Sequence, residues 1–485
     1  MIGTHNLVLR ISRIVTALAV AISLPPAVAR AEQPKSARAV EAAPAPAGAE
    51  RPLARDPLAP LVSEALANNL EFASARLAER RASAELTAAR TQWLPSVRLE
   101  TRASKLDDVQ DLGALINPAY EALNRLTGTR DFPTDLSLTL PRQYESHLRV
   151  TQPLIHEPLR ASVSIAGAGR DAARAARGAA ARRLAAEVQI AYLRHASALR
   201  VVRIEESALN LVQENERVAG KLLAAGRATP EAVHRARADR AEVAQQLDDA
   251  RVRASAAARE LNRVAGRADG APVEDLPDSS FDLPLGVGAE EAVRSALTRR
   301  EELAQADAGS RAARAAVRAA TGTFLPNVSA AFDLAYQGER WGLRSKDRSW
   351  SASLVASWDL FRGGSDLARR AAARAGAERA ELDRRDAAER IAVEVRNAHE
   401  AARVGRDALA TADTRADAAR HTYSMVRRRY EEGTASPLEL TAARTQLTTA
   451  EINRVLTLYR YAILRVDLER AAALRDLPAE KGDLR

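Results

Sequence analysis

The sequence predicts a mainly helical chain with a small β part, built as one unit written twice. Composition is the first observation behind that class. The 485 residues are 46% hydrophobic but only 4% aromatic. Much of the apolar share is alanine, about a fifth of the chain and far above ordinary usage. Six Phe and four Trp are a poor filling for compact lobes, since aromatic and branched side chains bury the most area. Alanine instead favours helix and lets helices approach closely. The second observation is a duplicated set of breaks in the pattern, and the third is four short runs that alternate apolar and polar residues.

The opening residues read as an address. Arg10 and Arg13 precede the apolar run Ile14 to Leu24, followed by Pro25-Pro26 and small residues that fit an A-x-A cleavage site. Residues 1–31 are therefore expected to be a secretory signal peptide, too short for a stable anchor. Residues 32–56 are rich in Pro and Ala and read as a linker. No later stretch approaches the roughly 18 continuous apolar residues of a transmembrane helix. A membrane role beyond export then requires a β-barrel or surface binding.

Two anchors define the repeat. Trp93-Leu94-Pro95-Ser96-Val97 returns as Phe324-Leu325-Pro326-Asn327-Val328, an offset of 231 residues. Gly226, Thr229 and Pro230 return as Gly433, Ser436 and Pro437, an offset of 207. The 24-residue difference is extra sequence in the first half, assigned to the loop from Lys105 to Pro141. That loop is acidic, through Asp107, Asp108, Asp111, Asp131 and Asp135, and its stretch Leu112 to Leu126 reads as a short helix. The shorter counterpart in the second half is Gly338–Asp347.

Each half, 57–266 and 288–474, has the same order of parts. A helical segment (57–92, 288–322) stops at the Leu-Pro dipeptide, because the residue before proline is pushed out of helical geometry. Two alternating runs follow. In the second half they are Val328, Ala330, Phe332, Leu334 and Tyr336, then Trp350, Ala352, Leu354, Ala356 and Trp358. In the first half, Val97 and Leu99, then Tyr144, Leu148 and Val150, do the same. Each run is 9–12 residues, the span of a tilted transmembrane strand. A half-buried sheet on a soluble core has the same period. Lipid is favoured because Trp350 and Trp358 lie near opposite ends of one run, as an aromatic girdle would place them. The rest of the chain offers little apolar surface to cover such a sheet. The aromatics are accordingly expected to gather on the lipid face rather than in a core. Four strands cannot close a membrane barrel, so several chains must pool them.

Long helices come next (158–224, 365–431), reaching roughly 100 Å at 1.5 Å per residue, then shorter ones (230–266, 437–474). At the turns between them Gly226 and Gly433 suit a left-handed helix end. Thr229 and Ser436 suit N-caps ahead of Pro230 and Pro437, and Ser436 with Glu439 forms a capping box. Residues 267–287, with three prolines, read as the crossing between halves, and 475–485 as a tail.

The layout resembles the TolC-like outer-membrane efflux protein (OEP) family, from about Leu61 to Ala473. The resemblance rests on the paired junctions Leu94-Pro95 and Leu325-Pro326 and on the paired turns Gly226-Arg227-Ala228-Thr229-Pro230 and Gly433-Thr434-Ala435-Ser436-Pro437. It implies a homotrimer whose long α-helical barrel carries a 12-stranded transmembrane β-barrel, four strands from each chain. Such proteins are passive exit ducts in the outer membrane. They dock to a periplasmic adaptor (membrane fusion) protein and an inner-membrane RND or ABC-type transporter. The hairpins at Gly226, Arg227, Thr229, Pro230 and Gly433, Thr434, Ser436, Pro437 would be the periplasmic tip that the adaptor grips. Glu439 would be the pore-constriction acid, although capping alone explains it. Ala442 stands where some members carry a second acid. Tyr144, Leu148, Phe332, Leu334, Tyr336, Trp350, Leu354 and Trp358 would face lipid. Type I protein secretion is an alternative within the class. A secreted periplasmic coiled-coil structural protein is the alternative outside it.

Chemistry is absent from the pattern. The chain has no cysteine, so it offers no thiolate site and no Cys for lipidation. Its seven His form no metal-binding pair at helical spacing, and it holds no phosphate-binding or nucleophile motif. No enzyme, cofactor or metal is expected. His147 reads as a solvated polar residue on the lumen face. The net charge of +9 is nearly all Arg, interspersed with acids along helices. That is a solvated surface rather than a nucleic-acid patch.

Overall fold

The computed structural model describes residues 57–104, 111–136, 144–338, 347–432 and 434–476. The signal peptide, the linker, Asp107, Asp108, Gly433 and most of the tail lie outside the described residues. Helices dominate: α1 (Ala59–Asn68), α2 (Leu70–Thr91), α3 (Gly113–Thr127), α4 (Glu157–Ala224), α5 (Pro230–Ala265), α6 (Ala289–Arg299), α7 (Glu301–Gly322), α8 (Ser365–Glu431) and α9 (Pro437–Ala472). Four strands, β1 (Ser96–Ala103), β2 (Tyr144–Ile155), β3 (Asn327–Gly338) and β4 (Arg348–Ser357), form one antiparallel sheet in sequential order. The second half repeats the first, with α3 as the insertion. No described helix is long and apolar enough to cross a membrane.

The insertion helix α3 falls within one residue of its expected place. Two asparagines seven residues apart hold the returning chain against it. Asn117 donates to the Leu136 carbonyl at 2.9 Å and accepts from its N–H at 3.0 Å. Asn124 does the same with Phe132, at 2.7 and 3.0 Å.

One expectation needed correction. The helical segment before each Leu-Pro is two helices rather than one, because Asn69 and Arg300 adopt extended backbone. These residues are repeat equivalents, and their side chains reach equivalent places. Asn69 donates to the Val264 carbonyl at 2.9 Å, and Arg300 to the Ala471 carbonyl at 3.1 Å. Each break therefore satisfies a carbonyl in the last turn of the closing helix. The local chemistry differs. Asn69 also caps α2 by accepting from the Phe72 N–H. Arg300 is 7% exposed and pairs with Glu302 at 2.6 Å and Glu394 at 2.7 Å. Such a break carries no proline or glycine, which is why periodicity alone runs through it.

The core is duplicated too. Val62, Ala65, Leu184, Val188 and Ala265 form one buried cluster, and their equivalents Val293, Ala296, Ile391, Val395 and Ala472 form another. Repeat symmetry fails at the end of the closing helices. Gly266 has φ +67°, and a Cβ there would sit 2.8 Å from the Asn68 backbone, so only glycine fits. Its equivalent Ala473 holds the left-handed conformation with φ 49° and keeps its methyl buried.

Aromatics are the second correction. Phe72, Tyr192, Phe281, Tyr459 and Tyr461 are buried, and four of the five belong to a core at the crossing. Phe281 stacks obliquely between Tyr192 (5.9 Å) and Tyr459 (5.8 Å). The crossing is a non-helical segment that needs side chains to satisfy its backbone, and large rings with hydroxyls do both jobs.

Candidate functional site

Two places, the sheet with its helix–strand junctions and the helix hairpins, hold the residues singled out by sequence, and a third lies at the crossing. In the sheet, strand register decides which side chains share a face. Leu99 opposes Leu148, which opposes Leu334, which opposes Trp350. The next row on that face is Val97, Val150, Phe332 and Ala352. Tyr144, Tyr336 and Leu354 follow by the period of two. Seven of the eight candidate lipid-facing residues thus fall on one side of the sheet. Phe332 and Trp350 stack at 6.3 Å between ring centres. Trp350 and Leu354 stand 67% and 69% exposed in the single chain.

The eighth, Trp358, lies one residue past β4, and its indole donates to the Phe324 carbonyl at 3.1 Å. The first half makes the matching bond, from Gln152 to the Trp93 carbonyl at 2.6 Å. Each helix–strand junction is thereby tied to the strand that pairs with it. Helices α2 and α7 end at Thr91 and Gly322, short of Leu94-Pro95 and Leu325-Pro326, and a strand starts directly after each proline.

The opposite face of the sheet carries Arg98, Glu100, Arg102, Glu145, His147, Arg149 and Asp333 in register. There His147 Nδ1 lies 3.2 Å from Asp333 and Arg149 reaches the other carboxylate oxygen. His147 is a partner in a polar network rather than a lone solvated group. β1 and β4 are the outer strands, each paired on one side only.

At the helix hairpins, α4 ends in a Schellman motif. Gly226 (φ 66°) donates to the Leu223 carbonyl and Arg227 to Leu222 at 2.8 Å. In the second hairpin the Thr434 N–H reaches the Arg429 carbonyl at 2.8 Å, which is the same bond. Pro230 and Pro437 each open a helix, as their missing N–H permits. The expected caps divide. Ser436 Oγ accepts from the Glu439 N–H at 3.2 Å, whereas the Thr229 side chain makes no capping bond. Only half of the capping box forms, because the Glu439 carboxylate turns to Ser436 Oγ (3.3 Å) and Arg429 (3.6 Å). Ser436→Ala is expected to cost about 1 kcal/mol locally and Thr229→Ala only a few tenths. Faster amide exchange in the first turn of α9, with α5 unchanged, is the readout; equal responses would show that the cap does not matter.

Sequence reasoning missed the third place. The crossing is strapped to α4, α8 and α9 by a dense polar array. Arg200 donates to Asp278 at 2.6 Å, to Asp275 at 2.8 Å and to the Leu276 carbonyl at 2.7 Å. Tyr459 donates to Asp278 at 2.9 Å, Tyr461 to the Leu283 carbonyl at 2.7 Å, and Arg406 pairs with Asp282. Tyr192 donates to the Glu274 carbonyl and accepts from the Leu276 N–H, both at 2.9 Å. Burial, with the Asp278 carboxylate beside it, pushes the Tyr459 hydroxyl well up. Asp275, Asp278 and Asp282 in a proline-rich stretch between Arg-rich helices were the available signal. Among the described residues, no group of acids and histidines could hold a metal ion.

The sequence matches the outer membrane efflux protein family over residues 61–267 and 292–474. No curated protein matches the chain. Solved structures do. CusC, described in terms of transmembrane channel formation, shares 18% identity with a TM-score of 0.71, covering 85% of this chain and 91% of that one. The CmeC outer membrane channel of Campylobacter jejuni shares 17% with a TM-score of 0.69, over 86% and 85%. The outer-membrane channel OprN shares 23% with a TM-score of 0.67, over 86% and 89%. The fold is that of one protomer of an outer-membrane channel. This chain belongs to the outer membrane efflux protein family, and its function is that of a non-catalytic outer-membrane efflux channel.

Proposed function

We propose that three copies of this chain pool their sheets into one 12-stranded transmembrane barrel. Its helices would continue as an α-barrel through the periplasm. The assembly is a passive exit duct for small molecules (drugs, toxic compounds or metal ions). A periplasmic adaptor and an inner-membrane RND or ABC-type transporter would hand cargo to the hairpin tips. A signal peptide within residues 1–31 would direct export, with the halves 57–266 and 288–474 and the crossing 267–287 forming the mature wall.

The observation that carries this reading is a four-stranded sheet with one apolar face and unpaired outer edges on β1 and β4. Lipid does not tolerate open edges, so the edges must meet other copies. The apolar face, from Tyr144, Leu148, Phe332 and Leu334 to Trp350 and Leu354, would then meet the bilayer. At the tips, Gly226, Arg227, Thr229, Pro230, Thr434, Ser436 and Pro437 support adaptor docking, since short capped hairpins present compact ends. Glu439 joins them as a pore-constriction acid held by Arg429. Mass in detergent tests the assembly: three chains per particle that form stable conductances in planar bilayers are expected. A folded monomer with an intact β signal would overturn it.

A further inference from the structure

Most arginines of the described chain sit in ion pairs, within a helix or across helices. Three that do not come from three different helices and converge. Arg194 of α4, Arg253 of α5 and Arg460 of α9 rim one groove of about 330 Å³. Among the described residues, none of the three has a carboxylate within ion-pairing distance or a hydrogen-bond partner. The floor of the groove is apolar, made by Leu456, Ile463 and one side of the Tyr459 ring.

The nearby acids act on this rim from a distance, and none of them forms an ion pair with it. Glu260 acts on Arg194 at a distance but is held by Arg263 at 2.7 Å. Glu205, which acts on Arg253, is 6% exposed and shared with Arg444, and burial raises its carboxyl. Asp467 acts on Arg194 at a distance too, but its ion-pair partner is Arg470 at 4.0 Å. Three unpaired guanidinium groups around an apolar floor favour one ligand chemistry. A flat carboxylate or sulfonate accepts paired N–H bonds from Arg, and an apolar body attached to it covers the floor.

The groove lies on the side of the helical wall away from the crossing. Tyr192 and Arg200 of α4 turn to the crossing, while Arg194 and Val201 lie on the opposite side of that helix. In a closed wall the crossing needs the outer side, since three copies inside would fill the passage. The groove then faces the lumen.

We propose that Arg194, Arg253 and Arg460 form a lumen-side binding site for amphiphilic anions, molecules with an apolar or aromatic body and a carboxylate or sulfonate head. The proposal rests on the duct reading and names a cargo class for it. Nine such arginines would line one level of the passage in a trimer.

Naphthalene-2-sulfonate is the probe, with naphthalene-2-methanol as its uncharged match. Both are titrated calorimetrically into the full chain in phosphatidylcholine nanodiscs, with empty discs as background. Saturable sulfonate binding is expected, weakened at least about tenfold in the double variant Arg253→Gln, Arg460→Gln. Arg253→Lys, Arg460→Lys should recover part of the loss, while the alcohol binds weakly and equally to all forms. In bilayers the Gln variant should shift the reversal potential in a KCl gradient towards cations. No saturable sulfonate binding, equal affinity in the Gln variant, or an unchanged reversal potential would each overturn the proposal. Particle mass and KCl conductance separate the two readings. A wild-type trimer that conducts but ignores the sulfonate sinks this site alone, whereas a chain that forms no trimer sinks the duct.

Discussion

Phe332→Arg is expected to abolish assembly in the outer membrane. Phe332 lies at the middle of β3, in register with Val150 and Ala352 on the apolar face. A charged side chain on a lipid face at mid-depth costs about 2–4 kcal/mol, and the proposed trimer would repeat it three times. Ser351→Arg is the matched control, because Ser351 opposes Asp333 on the polar face one residue away. Heat-modifiable trimer in the outer-membrane fraction is the readout. Loss in Phe332→Arg with near-normal trimer in Ser351→Arg is the expected pair of results; the reverse pattern would turn the sheet inside out. Trp358→Asp should have a smaller effect. Trp358 lies past the end of β4, near the rim of the apolar band, where charge costs about 0–1 kcal/mol.

The second large effect concerns Arg300→Ala. Removing this buried guanidinium strands Glu302 and the Ala471 carbonyl and leaves Glu394 with Arg470 as its remaining partner. Breaking a buried pair from one side costs about 3–5 kcal/mol, but both acids are about two-fifths exposed, so about 2–3 kcal/mol is the expected loss. The repeat supplies the comparison. Asn69→Ala removes one cap and one carbonyl bond, worth about 1–2 kcal/mol. Amide exchange at the end of α9 should therefore accelerate far more in Arg300→Ala than exchange at the end of α5 does in Asn69→Ala. Equal acceleration would mean that the ion network adds nothing beyond the carbonyl bond.

These two sites differ in how visible they were from the chain alone. The alternation Val328, Ala330, Phe332, Leu334, Tyr336 already puts those residues on one side of any strand, whatever the strand pairs with. Arg300 gave no such signal. Its charge looks like any other in an Arg-rich helix, and only the packed end of α9 turns it into a buried link. The caps lie between these cases. Gly226 and Ser436 behave as their residue types require, while Thr229 occupies a cap position without making the bond.

The sequence by itself determined the class of the protein: two copies of one helix–strand–strand–helix unit, the apolar face of the sheet, and the helix ends marked by proline or glycine. Those features depend on period and on proline or glycine, which act over a few residues. Tertiary structure decided what joins distant segments. The breaks at Asn69 and Arg300, the strap from Arg200 and Tyr459 to Asp278, and the meeting of Arg194, Arg253 and Arg460 each unite residues tens to hundreds of positions apart. Local pattern cannot encode such pairings, because a side chain's neighbours across helices are set by how the wall packs rather than by its own turn.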